Sequence, residues 1–192
     1  LFVTETIDED GKTVSEFKDK QGRLVMHLMG GTRTRYCYDE FGRLRCVVQP
    51  EGTSPASAEN CFYYKYDSKG RLTDKRVPGS DWTIYIYDSR DRLVLSQDGN
   101  QQAKSPKEWS YTIYDNLNRP IEQGTWATTS SRATLVTAIN SSLTYMVSAP
   151  NKVLLKNLYY DNYSGCPNGV YAPDTTALGV SNYSNNTGRL TW

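Results

Sequence analysis

The sequence predicts an all-β fold: antiparallel β-hairpin repeats forming a twisted or curved extended sheet, with one short helix near 131–140. Three observations carry this. A turn pattern close to Asp-x-x-Gly-Arg recurs through residue 124. Aromatic residues alternate with other residues just before each turn. Short apolar or β-branched runs follow each turn, as strands require.

The elements follow in chain order. Ile7-Asp8-Glu9-Asp10-Gly11-Lys12 keeps only the Asp-x-x-Gly of the pattern. Phe17-Lys18-Asp19-Lys20-Gln21-Gly22-Arg23-Leu24 adds the Arg-Leu that follows it. Tyr36-Cys37-Tyr38-Asp39-Glu40-Phe41-Gly42-Arg43-Leu44 is the clearest copy, and Tyr64-Lys65-Tyr66-Asp67-Ser68-Lys69-Gly70-Arg71-Leu72 is a second. Tyr85-Ile86-Tyr87-Asp88-Ser89-Arg90-Asp91-Arg92-Leu93 is a third. A more worn copy is Tyr111-Thr112-Ile113-Tyr114-Asp115-Asn116-Leu117-Asn118-Arg119-Pro120. The repeat Asp residues are separated by 11, 20, 28, 21 and 27 residues, so the period is loose.

Turn chemistry explains the repeated residues. Asp at the first position of a type I turn bonds the backbone ahead of it, and the fourth position favours positive φ. A type I turn followed by a left-handed residue makes a common hairpin connection with a bulge. Asp19, Asp39, Asp67, Asp88 and Asp115 take the first position; Gly22, Gly42, Gly70, Asp91 and Asn118 take the fourth. Asp and Asn are among the few non-Gly residues that tolerate the left-handed region. Variation confined to that set is a backbone constraint, not a ligand fingerprint.

Tyr36 with Tyr38, Phe62 with Tyr64 and Tyr66, and Tyr85 with Tyr87 each share one face of a strand. These tyrosines are expected to supply the apolar face of the sheet. Pro50 and Pro78, followed closely by Gly52 and Gly79, mark loops at the far end of the hairpins, and Asp98-Gly99 takes that place in the third copy. If Asp39 pairs Arg43 across the turn, Tyr38 pairs Leu44 and Cys37 pairs Arg45. That register puts Cys37 and Cys46 on opposite faces, so no disulfide between them is expected.

After residue 124 small residues dominate. Leu135, Ala138 and Ile139 have helical spacing, with Ser130 or Ser131 as the cap. Residues 152–161 return to a strand ending in a Tyr159-Tyr160-Asp161 echo of the repeat. Residues 162–182, with Gly165, Pro167, Gly169, Pro173 and Gly179, form an irregular loop on this reading. Gly188-Arg189-Leu190-Thr191-Trp192 resembles the outgoing strand of another copy. By pattern the chain divides into hairpin repeats at 1–124, an insert with a short helix at 125–150, and a divergent, truncated repeat region at 151–192.

Composition narrows the function classes. The chain has 192 residues, 22 basic and 21 acidic side chains, one His and four Cys. A net charge of +1 without charge runs argues against a nucleic-acid partner. No stretch approaches the ~18–20 apolar residues of a membrane span. His27 lies in an apolar strand and is the only imidazole, so a serine nucleophile has little choice of base. Cys37, Cys46, Cys61 and Cys166 have no metal-ligand spacing. Asp8, Glu9 and Asp10 do not continue into the acidic twelfth position of a calcium loop. No catalytic residue, metal ligand or cofactor site is read from the sequence. The chain opens on Leu1-Phe2 and is expected to be a slice of a longer array.

These copies resemble the YD repeat, also called the RHS repeat, roughly Tyr-x-Tyr-Asp-x-x-Gly-Arg-Leu followed by Pro-x-Gly. Residues 36–52 and 64–79 match it, including Pro50-Glu51-Gly52. The copy at 85–99 departs at Asp91 and lacks the Pro; that at 111–120 lacks both the Gly and the Leu. The resemblance covers 17–124, and more weakly 1–16 and 152–192. It implies a long hairpin ribbon winding into a hollow shell. In bacterial toxin proteins such shells resemble containers around a toxic C-terminal segment; in animal adhesion receptors a similar barrel is a scaffold for cell contact. The insert near 125–150 points to the divergent RHS-like proteins of large bacterial surface or secreted chains.

Two functions follow as expectations. The first is a non-catalytic structural segment of a secreted or cell-surface shell, whose partners are neighbouring repeats and an encapsulated C-terminal domain. The second is an adhesion module that binds a surface glycan through Trp82, Trp109 and Trp126, which lie outside the repeat positions. Cut at both ends, the array is expected to expose strand edges and to dimerise edge to edge.

Overall fold

The structure, a computed structural model, describes residues 1–50, 60–161 and 186–190. The irregular loop expected at 162–182, Gly52 and Cys166 lie outside the described residues. Twelve strands, β1 (Phe2–Ile7), β2 (Thr13–Lys18), β3 (Leu24–Met29), β4 (Thr32–Tyr38), β5 (Leu44–Val48), β6 (Cys61–Tyr66), β7 (Leu72–Arg76), β8 (Thr83–Tyr87), β9 (Leu93–Gln97), β10 (Lys107–Tyr114), β11 (Pro120–Thr128) and β12 (Lys152–Asn157), follow one another in sheet order exactly as in sequence. The sheet is antiparallel throughout. A separate pair joins β13 (Tyr160–Asp161) to β14 (Asn186–Leu190).

Helix α2 (Arg132–Ser141) falls where the Leu135, Ala138, Ile139 spacing put it. Ser131, not Ser130, caps it: its side chain accepts from the Thr134 amide. Leu135 and Ile139 are its buried residues. A five-residue helix α1 (Gly99–Ala103) was not anticipated. Asp98 and Gln101 form a reciprocal capping box at its start, a spacing present in the sequence but masked there by the loop signal of Asp98-Gly99.

Four of the repeat hairpins carry a bulge that the sequence register missed. Tyr38 pairs Leu44, as expected, but Cys37 then pairs Cys46 and leaves Arg45 over. The same shift makes Val25, Thr73 and Ile121 the extra residue of the bulge in three other hairpins. The extra residue reverses the facing of every side chain beyond it. Cys37 and Cys46 are therefore direct cross-strand partners on one face, and the expected pairing of Cys37 with Arg45 is corrected.

The chain packs as two compact units. The first comprises Leu1–Ile86 with Ser96–Lys104. Here the register places Cys37, Cys46, Val48, Cys61 and Tyr63 on one face, where they cluster, and the repeat tyrosines on the other. Val48 and Cys61 are 1% and 0% exposed, whereas Tyr36, Tyr38, Tyr64 and Tyr66 are only half-buried. β1 is exposed along its whole length. The second unit comprises Tyr87–Leu95 with Ser105–Trp192. Along β10, Trp109, Tyr111 and Ile113 alternate as buried residues, while Tyr114 of the repeat faces the other way and is half-buried. The deepest core thus lies opposite the repeat tyrosines, a correction to the expectation that they form the apolar face. On their own face Tyr38, Tyr66 and Tyr114 lie under a turn Arg and donate to backbone carbonyls, which leaves them half-buried.

Candidate functional site

The recurring site is a bracket built from one turn and the hairpin that follows it. In the copy at Asp39, Oδ1 accepts from the Phe41 amide at 3.0 Å and the Arg43 amide at 2.8 Å. Oδ2 accepts from Arg43 Nε at 2.7 Å. The Gly42 amide donates to the Asp39 carbonyl, and the Asp39 amide to the Arg43 carbonyl. The same five bonds recur around Asp19, Asp67, Asp88 and Asp115. Even the worn copy at Asp8 keeps its turn, with the Lys12 amide donating to Oδ1 at 2.7 Å.

The fourth position is left-handed in each: φ is 79° at Gly22, 79° at Gly42, 82° at Gly70, 62° at Asp91 and 63° at Asn118. Glycine adopts such angles without steric cost, and Asp and Asn at small cost.

The turn Arg then reaches forward. Arg23 lies over the Tyr38 ring at 4.9 Å, Arg43 over Tyr66 at 5.2 Å, Arg92 over Tyr114 at 4.9 Å and Arg119 over Tyr160 at 4.5 Å. These are cation–π distances. Arg43 Nη1 also donates to the Asp67 carbonyl at 3.1 Å, and Arg92 Nη1 to the Asp115 carbonyl at 3.3 Å and Asn118 Oδ1 at 3.1 Å. The tyrosine closes the circuit backward. Tyr38, Tyr66 and Tyr114 donate their hydroxyls to the carbonyls of Leu24, Leu44 and Leu93 at 2.9, 2.9 and 2.8 Å. The turns at Asp19, Asp39 and Asp88 are thereby fastened to the hairpins that follow them.

Burial grades the brackets. The side chains of Arg92 and Asp88 are 10% and 1% exposed, against 25% and 14% for Arg43 and Asp39. Burial alone would raise the carboxyl of Asp39, but hydrogen bonds from the Arg43 backbone and side chain outweigh it and hold it below the ordinary 3.8. Asp19, Asp67 and Asp115 are lowered for the same reasons. Burial raises the phenols of Tyr38, Tyr66 and Tyr114.

The structure also joins two ends that the sequence left apart. Tyr160 pairs Leu190, as Tyr38 pairs Leu44 and Tyr66 pairs Leu72. Tyr160 also receives Arg119, the position a following repeat would fill. The Tyr-Tyr-Asp echo and the Gly188-Arg189-Leu190 segment are the two sides of one divided copy.

The three tryptophans do not converge. Trp109 and Trp126 are 2% and 4% exposed and face each other across β10 and β11. Trp126 Nε1 donates to the Pro150 carbonyl at 2.8 Å, and Tyr145 meets its ring edge-on at 6.2 Å. Trp109 Nε1 is buried without an acceptor among the described residues. Both rings are core surface, which corrects the expectation that they face a ligand. Trp82 is half-buried; Tyr63 packs beside it at 6.2 Å, the Lys65 ammonium lies 4.2 Å from its ring, and its carbonyl accepts from Gln102.

Sequence reasoning missed a second, partly buried group. Tyr111 donates to Glu122 at 2.7 Å, and the Lys152 ammonium meets the same carboxylate at 3.1 Å. Burial and the Glu122 carboxylate drive the Tyr111 phenol well above its ordinary value. The group ties β12 to β10 and β11. It spans 41 residues of sequence, from Tyr111 to Lys152, and no local pattern announces it. Among the described residues no cluster of His, Cys, Asp and Glu could hold a metal ion.

No family model matches the chain, and no curated protein sequence matches it. Solved structures do. A crystal structure of TcdB2–TccC3 aligns at 12% identity with a TM-score of 0.54, covering 79% of this chain and 7% of that one. The Photorhabdus luminescens Tc holotoxin pore aligns at 14% identity with a TM-score of 0.54, covering 82% of this chain and 7% of that one. The chain thus shares a fold with part of these Tc toxin structures and spans only a small fraction of their length.

Proposed function

We propose that this chain is a non-catalytic structural segment of a large secreted or cell-surface RHS-like protein, one arc of a β-sheet shell around a C-terminal toxin or effector segment. The observation that carries this reading is the bracket. The Asp, the Arg and the Tyr just before the Asp close their own turn or fasten one turn to the following hairpin in the copies where these contacts are seen. A repeat used up in this way serves architecture. The resemblance to the YD repeat and the fold shared with the Tc toxin structures support the same reading. On it, 1–124 forms the repeat wall, 125–150 is an insert packed against it, and 151–192 begins a divergent continuation. Neighbouring repeats are the first partners, and the exposed β1 edge is where another strand adds.

Limited proteolysis of the natural full-length protein tests this. The expected result is a C-terminal segment that resists cleavage until denaturant opens the repeats. Cleavage of that segment at the same rate in native and denatured protein would overturn encapsulation. The adhesion reading has no comparable support, since two of its three tryptophans are core residues.

A further inference from the structure

Three of the four cysteines meet on one face of the sheet, and the repeat chemistry uses none of them. Cys37 lies directly opposite Cys46. Cys61 lies opposite Val48, one diagonal step from Cys46 on the same face. None of the three is in a disulfide. Val48 and Tyr63 pack with them. Cys46 and Cys61 are 5% and 0% exposed, whereas Cys37 is half-buried.

Sheet geometry decides which pair can be bridged. Directly opposed residues of an antiparallel pair have Cα atoms about 4.5–5.5 Å apart. That lies inside the roughly 4.4–6.8 Å that a disulfide spans. Diagonal neighbours stand about 7–8 Å apart, outside that range.

We infer that Cys37 and Cys46 are a dithiol–disulfide site, which a small-molecule disulfide oxidises to a cross-strand bridge clasping β4 to β5 while Cys61 remains a thiol. The step balances. The Cys37 thiolate attacks one sulfur of the oxidant, whose S–S bond breaks, and the other sulfur leaves as a thiolate. Cys46 then gives up its proton, and its sulfur attacks the Cys37 sulfur of the mixed disulfide. The second oxidant sulfur leaves and takes a proton. Two protein S–H bonds and one oxidant S–S bond become one protein S–S bond and two S–H bonds, with two electrons passing to the oxidant. Cys37 is the entry point because it alone of the three is not fully buried. Burial, then the neighbouring Cys37 and Cys61, push the Cys46 thiol up to about 12, so closure quickens as pH rises.

The test is a thiol map of the full chain after incubation with oxidised glutathione. Remaining thiols are capped with N-ethylmaleimide, and the protein is cut with trypsin and a glutamate-specific protease. Cleavage after Arg45, Glu51 and Glu59 places Cys37, Cys46 and Cys61 on separate peptides. The expected result is a linked Cys37–Cys46 peptide pair, with Cys61 capped. Cys61→Ser should keep the bridge, and Cys46→Ser should stop at glutathione on Cys37. A bridge from Cys46 to Cys61 or Cys166 would overturn the inference, as would capping of all the thiols. If Cys46→Ser does not fold, the wild-type map and Cys61→Ser still decide.

Discussion

Asp39 accepts three hydrogen bonds through one carboxylate, two from backbone amides and one from Arg43. Exposed ion pairs contribute little, about 0–1 kcal/mol, so the stability carried by each bracket depends on its burial. Asp88, almost fully enclosed with Arg92, is the case where loss matters most. Asp88→Ala leaves that guanidinium without its carboxylate and should cost about 3–5 kcal/mol in urea unfolding. Asp39→Ala, at a more exposed turn, should cost less. At the fourth turn position, Gly42→Asn should be tolerated within about 1 kcal/mol, because Asn118 already occupies the equivalent angle. Gly42→Val should cost more than Gly42→Asn, since a β-branched residue does not fit φ 79°. Equal melting temperatures for the two variants would contradict that account. The turn was readable from sequence because its constraint is local: Asp, Gly and Arg lie within five residues. The forward reach of Arg23 to Tyr38 was not, since it depends on which hairpin lands alongside.

Between elements, legibility fell where one residue was added. The bulge at Arg45, Val25, Thr73 and Ile121 has no signature residue, so the register built outward from the turn was wrong beyond Leu44. That single residue separates opposed cysteines from cysteines on opposite faces. Helix α2 was legible because its apolar spacing and Ser cap are local. The two-tryptophan layer gives a prediction at this scale. Trp126→Phe removes a bond to the Pro150 carbonyl, whereas Trp109→Phe removes a donor with no acceptor among the described residues. Trp126→Phe should therefore cost about 1 kcal/mol more than Trp109→Phe in chemical denaturation. Gly124 is a tighter constraint. A Cβ there would meet the Val153 carbonyl and the Tyr111 ring, so Gly124→Ala should loosen β12 and speed amide exchange along it.

Taken together, the brackets and the core set a pH range for the chain. The repeat carboxyls of Asp19, Asp39, Asp67 and Asp115 are lowered on folding, so they stabilise the fold above their ordinary 3.8. That contribution is lost as pH falls below 3.8 through their folded values. Cys46 is raised from 9.0 to about 12, so its contribution is full below 9.0 and lost between there and about 12. The melting temperature should hold between these limits and fall beyond both. Repetition itself made the whole-molecule fold legible: six spaced Asp turns forced a hairpin ribbon, and the sheet order follows the chain. What stayed hidden was the divided copy, because the 29 residues between Tyr160 and Leu190 separate its two sides in sequence.

The central claim is that the repeat residues join successive hairpins within each compact unit. A double-mutant cycle on Arg43 and Tyr66 tests it most directly, with Arg43→Leu, Tyr66→Leu and the double variant measured by equilibrium unfolding. The account predicts a favourable coupling of about 0.5–2 kcal/mol, since the guanidinium lies 5.2 Å from the ring in a half-buried setting. Strictly additive single effects would contradict it.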